Sequence, residues 1–201
     1  FSRGQALSAG ITSGQLRHRV ERGAWRRLAP GVFGFPGHTD SHRRRCWVAL
    51  LHAGDDACLS HGTAGLLLGM APIEGEPVDV TVARGRSRAL EGTRRHRPRQ
   101  WDPARVRYVD GLPVTDPART IVDLASELRG PRLERLVEHA EVERICPVVA
   151  VGAELGHVRR RGVPGVRRLE SVLDQLGPGD ALPRSELERL GDQVRRLAGL
   201  P

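Results

Sequence analysis

Lysine is absent from this sequence, because every one of the 32 residues counted as lysine or arginine is an arginine. The chain therefore has no P-loop lysine, no Schiff-base lysine and no lysine for a nuclease site of the PD-(D/E)xK kind. It also has no apolar run near the roughly 18 residues that span a bilayer, and its start lacks the apolar stretch of a secretory signal. These absences exclude several enzyme classes and predict no membrane partner.

Cysteine is scarce as well. The chain has 3 cysteines, Cys46, Cys58 and Cys146, which are widely spaced and form no C-x-x-C motif. An odd number of scattered cysteines is typical of buried thiols in a reducing compartment. The sequence therefore predicts a cytoplasmic protein and gives no reason to expect a cofactor.

Positive charge is abundant and unevenly distributed. The formal net charge is +8, and two segments, 1–38 and 84–107, are strongly basic, whereas 108–156 is acidic. A uniformly solvated surface would not segregate in this way. The pattern predicts two surfaces that face a polyanion such as nucleic acid, and a third surface for another partner.

The first 35 or so residues have the pattern of a winged helix-turn-helix. A short helix at 3–9 begins with an S-x-x-Q capping box, a turn follows at 10–12, and a second helix at 13–21 begins with Thr12 and Gln15 as another capping box. Two short strands at 25–28 and 31–35 then form a basic hairpin. Helix, turn, helix and basic wing in this order predict a DNA-binding module.

The second of these helices carries the candidate DNA-binding residues. Leu16 and Val20 form its buried stripe, and the remaining faces are polar. Gln pairs with adenine, and Arg reaches guanine or phosphate. The predicted DNA contacts are Gln15, Arg17, His18, Arg19 and Arg22 on the helix, and Arg26 and Arg27 on the wing.

The rest of the chain predicts a mixed α/β domain and a helical tail. Helices are predicted at 41–53, 62–68, 117–128, 133–144, 166–176 and 185–197. Strands are predicted at 58–60, 78–83, 93–97, 106–109 and 112–114, the last two joined by an Asp110-Gly111 turn. The fold class is therefore α/β (α+β), divided into a winged helix at 1–38, an α/β domain at 39–157 and a tail at 158–201.

Several segments resemble AbiEi-like antitoxins, the antitoxin partners of type IV toxin–antitoxin systems. The resemblance begins with F-S-R-G-Q-A-L at 1–7 and continues in Q-L-R-H-R-V at 15–20, G-A-W-R-R-L at 23–28, P-G-V-F at 30–33 and L-S-H-G-T-A at 59–64. It is strongest in G-L-P-V-T at 111–115 followed by P-A-R-T-I-V-D-L-A at 117–125. It implies a winged-helix repressor of its own operon, joined to a domain that neutralises a nucleotidyltransferase-like toxin. Members usually have another helix before the F-S-R segment, which predicts that this chain is incomplete at its N-terminus.

A second resemblance concerns the tail. The segments G-V-P-G-V-R-R-L at 162–169 and S-E-L-E at 185–188 resemble the lead-in to a nuclease domain related to very-short-patch repair endonucleases. Glu188 matches the first acidic position of that fold, and the later acidic positions do not occur in this sequence. Within these 201 residues Glu188 is interpreted as a solvated helix residue.

Other candidate residues have competing interpretations. Arg119 and Asp123, four apart on a helix capped by Thr115 or Asp116, predict a structural ion pair, with a toxin contact as the alternative. In strict strand alternation, Arg95, Arg97 and Arg99 share a face that either contacts phosphate or blunts a sheet edge.

Two patterns suggest other chemistry but do not complete it. His38, His42 and Cys46 have the spacing of a zinc site, yet His38 precedes the helix, so two ligands at most would align. Ser60 is expected to cap the next helix, since adjacent residues such as Ser60 and His61 rarely point at each other. The sequence therefore predicts no metal site and no catalytic set.

The leading hypothesis is a DNA-binding, antitoxin-like transcriptional repressor that contacts double-stranded DNA. One alternative is that the chain is the DNA-targeting part of a nuclease whose catalytic core lies beyond residue 201. Another is a module that binds a toxin protein through 108–145, with DNA binding secondary.

Overall fold

The computed structural model describes residues 1–70, 76–82, 90–98, 102–158 and 164–176. The predicted helix at 185–197, Glu188 and Arg99 lie outside these residues. Within them, no helix is long and apolar enough to cross a membrane.

The N-terminal elements follow the predicted order. They are α1 (Arg3–Ser8), α2 (Ser13–Glu21), β1 (Arg26–Ala29) and β2 (Val32–Gly34). Both predicted capping boxes are present, with Ser2 and Thr12 as the N-cap residues. Gly23 follows the end of α2 at φ 72°, a left-handed conformation that glycine adopts without strain. Thus the local signals define both helices to within one residue.

The residues before α1 extend the wing sheet. Ser2 forms an antiparallel bridge with Val32, and the amide of Phe33 donates to the carbonyl of Phe1 at 2.9 Å. The Phe1 ring packs edge-on against Trp25, with ring centroids 4.9 Å apart. A small apolar core made of Ala6, Leu16 and Phe33 holds the two helices on the hairpin.

The second part of the chain is an α/β arrangement around a mixed sheet. Its elements are α3 (His42–Ala53), β3 (Ala57–Leu59), α4 (His61–Leu67), β4 (Val78–Val82), β5 (Thr93–His96), β6 (Val106–Val109), β7 (Leu112–Thr115), α5 (Pro117–Leu124), α6 (Pro131–Val142), α7 (Val148–Val158) and α8 (Val166–Leu176). The fold class is α/β, as predicted. The sheet order is β5-β4-β3-β7-β6.

Strand directions in this sheet are mixed. The pairs β3–β4 and β6–β7 are antiparallel, whereas β3–β7 and β4–β5 are parallel. Asp110 and Gly111 connect β6 to β7 with φ 49° and 81°, the positive values that a two-residue hairpin turn requires. The predicted Asp-Gly hairpin is therefore confirmed.

Two larger cores lie in this part of the chain. One joins α3 to the sheet through residues such as Cys46, Leu59 and Val80. The other joins α5, α6, α7 and α8 through residues such as Ile121 and Leu169. Cys46, Cys58 and Cys146 are all free and buried, as predicted, and burial raises the pKa of each thiol, to about 12 for Cys58.

Two helical predictions differ from the structure. The helix predicted at 117–128 ends at Leu124, because Ala125, Ser126 and Glu127 turn the chain away from the helix axis. The helix α7 was not predicted, because its sequence VVAVGAELGHV combines β-branched residues with two glycines, which lower helix propensity. Tertiary packing of Val151 and Leu155 in the helical core stabilises it instead.

Candidate nucleic-acid interface and a buried polar cluster

The exposed face of α2 carries most of the predicted DNA contacts. Arg17, His18 and Arg22 are exposed, and Arg22 forms the C-cap of the helix. Arg17 lies 3.9 Å from Glu21, and because both side chains are exposed this pair holds Arg17 only weakly. These side chains are therefore accessible to solvent, which base-contacting residues of a recognition helix need to be.

Arg19 and Gln15 are constrained by contacts within the winged helix. The Arg19 guanidinium lies 4.8 Å from the centre of the Trp25 ring, a cation–π contact that directs it toward the wing. The Oε1 atom of Gln15 accepts from the Thr12 amide at 3.0 Å. While this capping box is formed, the amide nitrogen of Gln15 remains free to donate to a base edge, and Oε1 keeps one lone pair.

The wing is attached to the α/β part of the chain. A ring nitrogen of His52 in α3 lies 3.1 Å from the carbonyl oxygen of Pro30, at the turn of the hairpin. Arg26 and Arg27 of the wing are exposed. Together with Arg44 they line a cleft of about 340 Å³ between the wing and α3. The wing arginines therefore border a cleft that four arginines line together with the acidic residues Asp40 and Glu91.

The second basic segment lies at one edge of the sheet. Arg95 is exposed in the edge strand β5, opposite Val80, and Arg97 is exposed just after that strand ends. Arg94 points to the other face, where its Nη1 donates to Glu127 at 3.0 Å. Of the three arginines predicted to share a face, only Arg95 lies within the described strand, where it occupies a charged sheet edge, so the shared face stays a prediction.

Arg119 and Asp123 form a buried ion pair, as predicted. Nε of Arg119 donates to Asp123 at 2.9 Å, and the two side chains are only 12% and 10% exposed. Burial raises the pKa of Asp123 to about 6, against the opposing effect of the Arg119 charge. Asp116 caps the helix, and Glu154 from α7 lies 3.8 Å from Arg119. This network joins α5 to α7. Because the side chains of Arg119 and Asp123 are nearly enclosed, they offer little surface to a partner, and the alternative toxin contact stays a prediction.

His38 does not join His42 and Cys46 in a three-residue cluster. Nε2 of His42 lies 3.5 Å from Sγ of Cys46, one helical turn away. His38 lies before the helix, and its carbonyl accepts from Arg44 at 2.5 Å. As predicted, only two of the three residues share a face of the helix.

The polar cluster around Ser60 and His61 was missed by sequence reasoning. Ser60 occupies the N-cap position of α4, but its side chain makes no capping hydrogen bond. Its Oγ accepts from Thr81 at 2.8 Å and lies 3.0 Å from Nδ1 of His61. The prediction that Ser60 caps the helix and that His61 points elsewhere is therefore wrong, because the extended backbone at Ser60 and the left-handed backbone at His61 turn both side chains into the same buried space.

His61 is a constrained residue within this cluster. Its φ is 47°, an uncommon value for a residue with a side chain. Its ring stacks on that of His96, with centroids 3.5 Å apart, and Nε2 of His96 donates to Asp79 at 2.8 Å. Burial and the nearby positive charges lower the pKa of His61 to about 3, so its imidazole is neutral at physiological pH.

Among the described residues, one group of three potential metal-binding side chains converges: His61, His96 and Glu127. They lie on α4, on β5 and just after α5. No local sequence pattern brings these segments together. The only signal available beforehand was the Ser-His pair itself, which was interpreted as a cap.

Comparison with known proteins supports the fold alone. No known protein family and no curated protein matches this chain. The chain is similar to the RV2827C protein from Mycobacterium tuberculosis, whose crystal structure aligns with a TM-score of 0.50 and 18% identity, over 88% of this chain and 71% of that one. At this identity the likeness demonstrates a shared fold and carries no information on activity.

Proposed function

We propose that this chain binds double-stranded DNA sequence-specifically through α2 and the wing, and acts as an antitoxin-like transcriptional repressor. The observation that supports it most directly is the pair of capped helices, of which the second presents Arg17, His18 and Arg22 to solvent. In a helix-turn-helix this helix enters the major groove, where arginine contacts guanine. Arg26 and Arg27 would hold the phosphate backbone beside it.

The first test is a fluorescence-anisotropy titration of the chain with the duplex that lies upstream of its own gene. A scrambled duplex of equal length is the control, and both are measured at two salt concentrations. We expect tight binding to the upstream duplex, weak binding to the scrambled one and a steep loss of affinity with salt. Equal affinity for the two duplexes would contradict sequence-specific repression.

The variant Arg22→Ala tests the recognition helix directly. We expect it to weaken binding to the upstream duplex by roughly tenfold or more, the usual effect of losing one base-contacting arginine. Arg132→Ala on α6 removes the same charge from an exposed position far along the chain, in the acidic segment, and should leave the affinity unchanged. An equal loss in both variants would show that only net charge matters.

A substitution at Gln15 can separate the stability of α2 from its affinity for DNA. Gln15→Glu keeps an acceptor for the Thr12 amide, so the capping box and the free energy of unfolding should be preserved. The same change replaces an amide donor with a negative charge on the face proposed to meet DNA. We expect unchanged thermal unfolding and a loss of affinity of at least tenfold. Unchanged affinity would remove Gln15 from the interface.

The antitoxin part of the proposal rests on the resemblance of segments 1–7, 111–115 and 117–125 to AbiEi-like antitoxins. The exposed acids of the segment 108–156, such as Glu143, are opposite in charge to the DNA-binding face and are available to a different partner, whereas Asp116, Asp123 and Glu154 are enclosed. Co-purification with a nucleotidyltransferase-like protein encoded beside the gene would support it. Failure of such a partner to bind, with DNA binding intact, would leave a DNA-binding protein without an antitoxin role.

A further inference from the structure

We propose that His61, His96 and Glu127 form a binding site for a divalent cation of the zinc type. Their potential ligand atoms lie within 4.8 Å of one another. Two imidazoles and one carboxylate are a common ligand set for zinc, with the fourth position open to water. The site shares no residue with the proposed DNA interface, so the two proposals stand or fall separately.

Both histidines have one ring nitrogen fixed by a hydrogen bond, which is the usual arrangement of metal-binding histidines. Nε2 of His96 donates to the carboxylate of Asp79 at 2.8 Å, which leaves Nδ1 with its lone pair. Nδ1 of His61 lies 3.0 Å from Oγ of Ser60, an atom that already accepts from Thr81. When Nδ1–H of His61 donates to this oxygen, the Nε2 lone pair remains for a cation.

The carboxylate of Glu127 is also positioned. Nη1 of Arg94 donates to its Oε1 at 3.0 Å and lies 3.8 Å from the nearly buried Asp79. The carboxylates of Asp79 and Glu127 attract a cation, whereas the charges of Arg94 and Arg119 near His61 oppose it. Binding therefore depends on direct coordination by the two imidazoles and the carboxylate.

The backbone at His61 supports a functional role for its side chain. Strained conformations such as φ 47° cost of order 1–3 kcal/mol and cluster at functional sites. His61 is the first residue of α4, and its buried ring contacts Ser60 and stacks on His96 of β5. The uncommon backbone conformation of His61 thus holds its imidazole against that of His96.

The described arrangement needs one adjustment before a cation binds. Ligand atoms around tetrahedral zinc are about 3.3 Å apart, closer than the 4.8 Å limit seen here. The two rings are stacked at 15°, whereas a metal lies in the plane of each imidazole that binds it. Binding therefore requires the rings to leave this stacked arrangement, and the partly exposed side chains of His96 (18%) and Glu127 (33%) must shift together with their hydrogen bonds to Asp79 and Arg94.

The test is a titration of the tag-free, metal-stripped chain with Zn²⁺ in competition with a chromophoric chelator. We expect one equivalent to bind with a Kd below about 10 µM. Co²⁺ in place of Zn²⁺ should give the intense visible absorption of a tetrahedral site. Zn²⁺ should also raise the midpoint of thermal unfolding, because a ligand that binds only the folded state stabilises it.

Three variants decide which residues bind the metal. His96→Gln keeps a donor for Asp79, and Glu127→Gln keeps an acceptor for Arg94, so both should fold. Because each removes a proposed ligand, both should weaken Zn²⁺ binding by more than the roughly 10–100-fold that loss of an outer-shell partner costs. His42→Gln is the matched control, because His42 lies beside Cys46 and offers the other pair of potential ligands. Binding that persists in His96→Gln, that is lost in His42→Gln, or that is absent from the wild-type chain would overturn the proposal.

Discussion

Replacing Arg119 with methionine is expected to lower the free energy of unfolding by about 3–5 kcal/mol near neutral pH. Methionine fills much of the same volume but leaves Asp123 without its ion-pair partner at 2.9 Å. Glu154, also buried, loses the charge at 3.8 Å and keeps only Arg105, at 3.1 Å. Uncompensated buried carboxylates are costly because the protein interior solvates them poorly.

The loss should depend on pH in a defined direction. The pKa of Asp123 is raised to about 6 in the folded chain, and removing Arg119 raises it further, because that arginine opposes the effect of burial. A carboxyl whose folded pKa is raised stabilises the fold when protonated, and that stability is lost as pH rises through the folded pKa. The deficit of Arg119→Met should therefore be large at pH 8 and smaller at about pH 5.

Chemical denaturation at the two pH values measures both effects. Arg43→Met is the control, because Arg43 forms a 2.7 Å pair with Asp110 in which the side chains are 51% and 71% exposed. An exposed pair contributes about 0–1 kcal/mol, so this variant should change little at either pH. Adding Asp123→Asn to Arg119→Met should recover part of the loss. Equal losses in the two arginine variants would show that the buried network does not stabilise the fold.

Gly165→Ala is expected to be the most disruptive small substitution in the described part of the chain. A Cβ atom at this position would lie 2.2 Å from the carbonyl oxygen of Ala125, which is backbone and cannot rotate away. The φ of Gly165 is +85°, which disfavours alanine as well. Relief of the clash requires α8 to move off the end of α5, breaking the hydrogen bond from Arg168 to Ala125.

The buried side chains of α8 set the size of this effect. Val166, Leu169, Val172 and Leu176 all pack into the helical core. Burial of each such side chain contributes about 1.5–3 kcal/mol, so displacement of α8 should cost more than about 4 kcal/mol. Gly37→Ala is the matched control, with φ +83° but nothing within 4 Å of the added atom, and should cost about 1 kcal/mol. Similar unfolding midpoints for the two variants would contradict this packing.

The two N-terminal helices and the hairpin after them were predictable because their signals are local. The capping boxes at Ser2 and Thr12 and the glycine after α2 each act within a few residues of the helix end that they define. The same holds for the Asp110-Gly111 hairpin and for the cap of α5 by Asp116. What these local signals left open was the orientation of the wing, which depends on the contact of Pro30 with His52.

The interior of the α/β part was less predictable. The ion pair of Arg119 and Asp123 follows from their spacing on one helix, but its burial follows from α7, which packs Glu154 against it. No helix was predicted at Val148–Val158, because its β-branched residues and two glycines lower helix propensity. Its polar member, Glu154, was consequently not recognised as part of a buried charge network.

The sequence by itself determined the α/β class, the two N-terminal helices with their basic residues, the hairpin after them and the caps of α1, α2 and α5, since each depends on residues near in the chain. Only the tertiary structure decided that Ser60, His61, Asp79, His96 and Glu127 meet. These residues come from segments whose contact depends on β4 pairing antiparallel with β3 and parallel with β5. Strand pairing over such separations is fixed by the packing of the whole sheet, so no local period in the sequence could encode it.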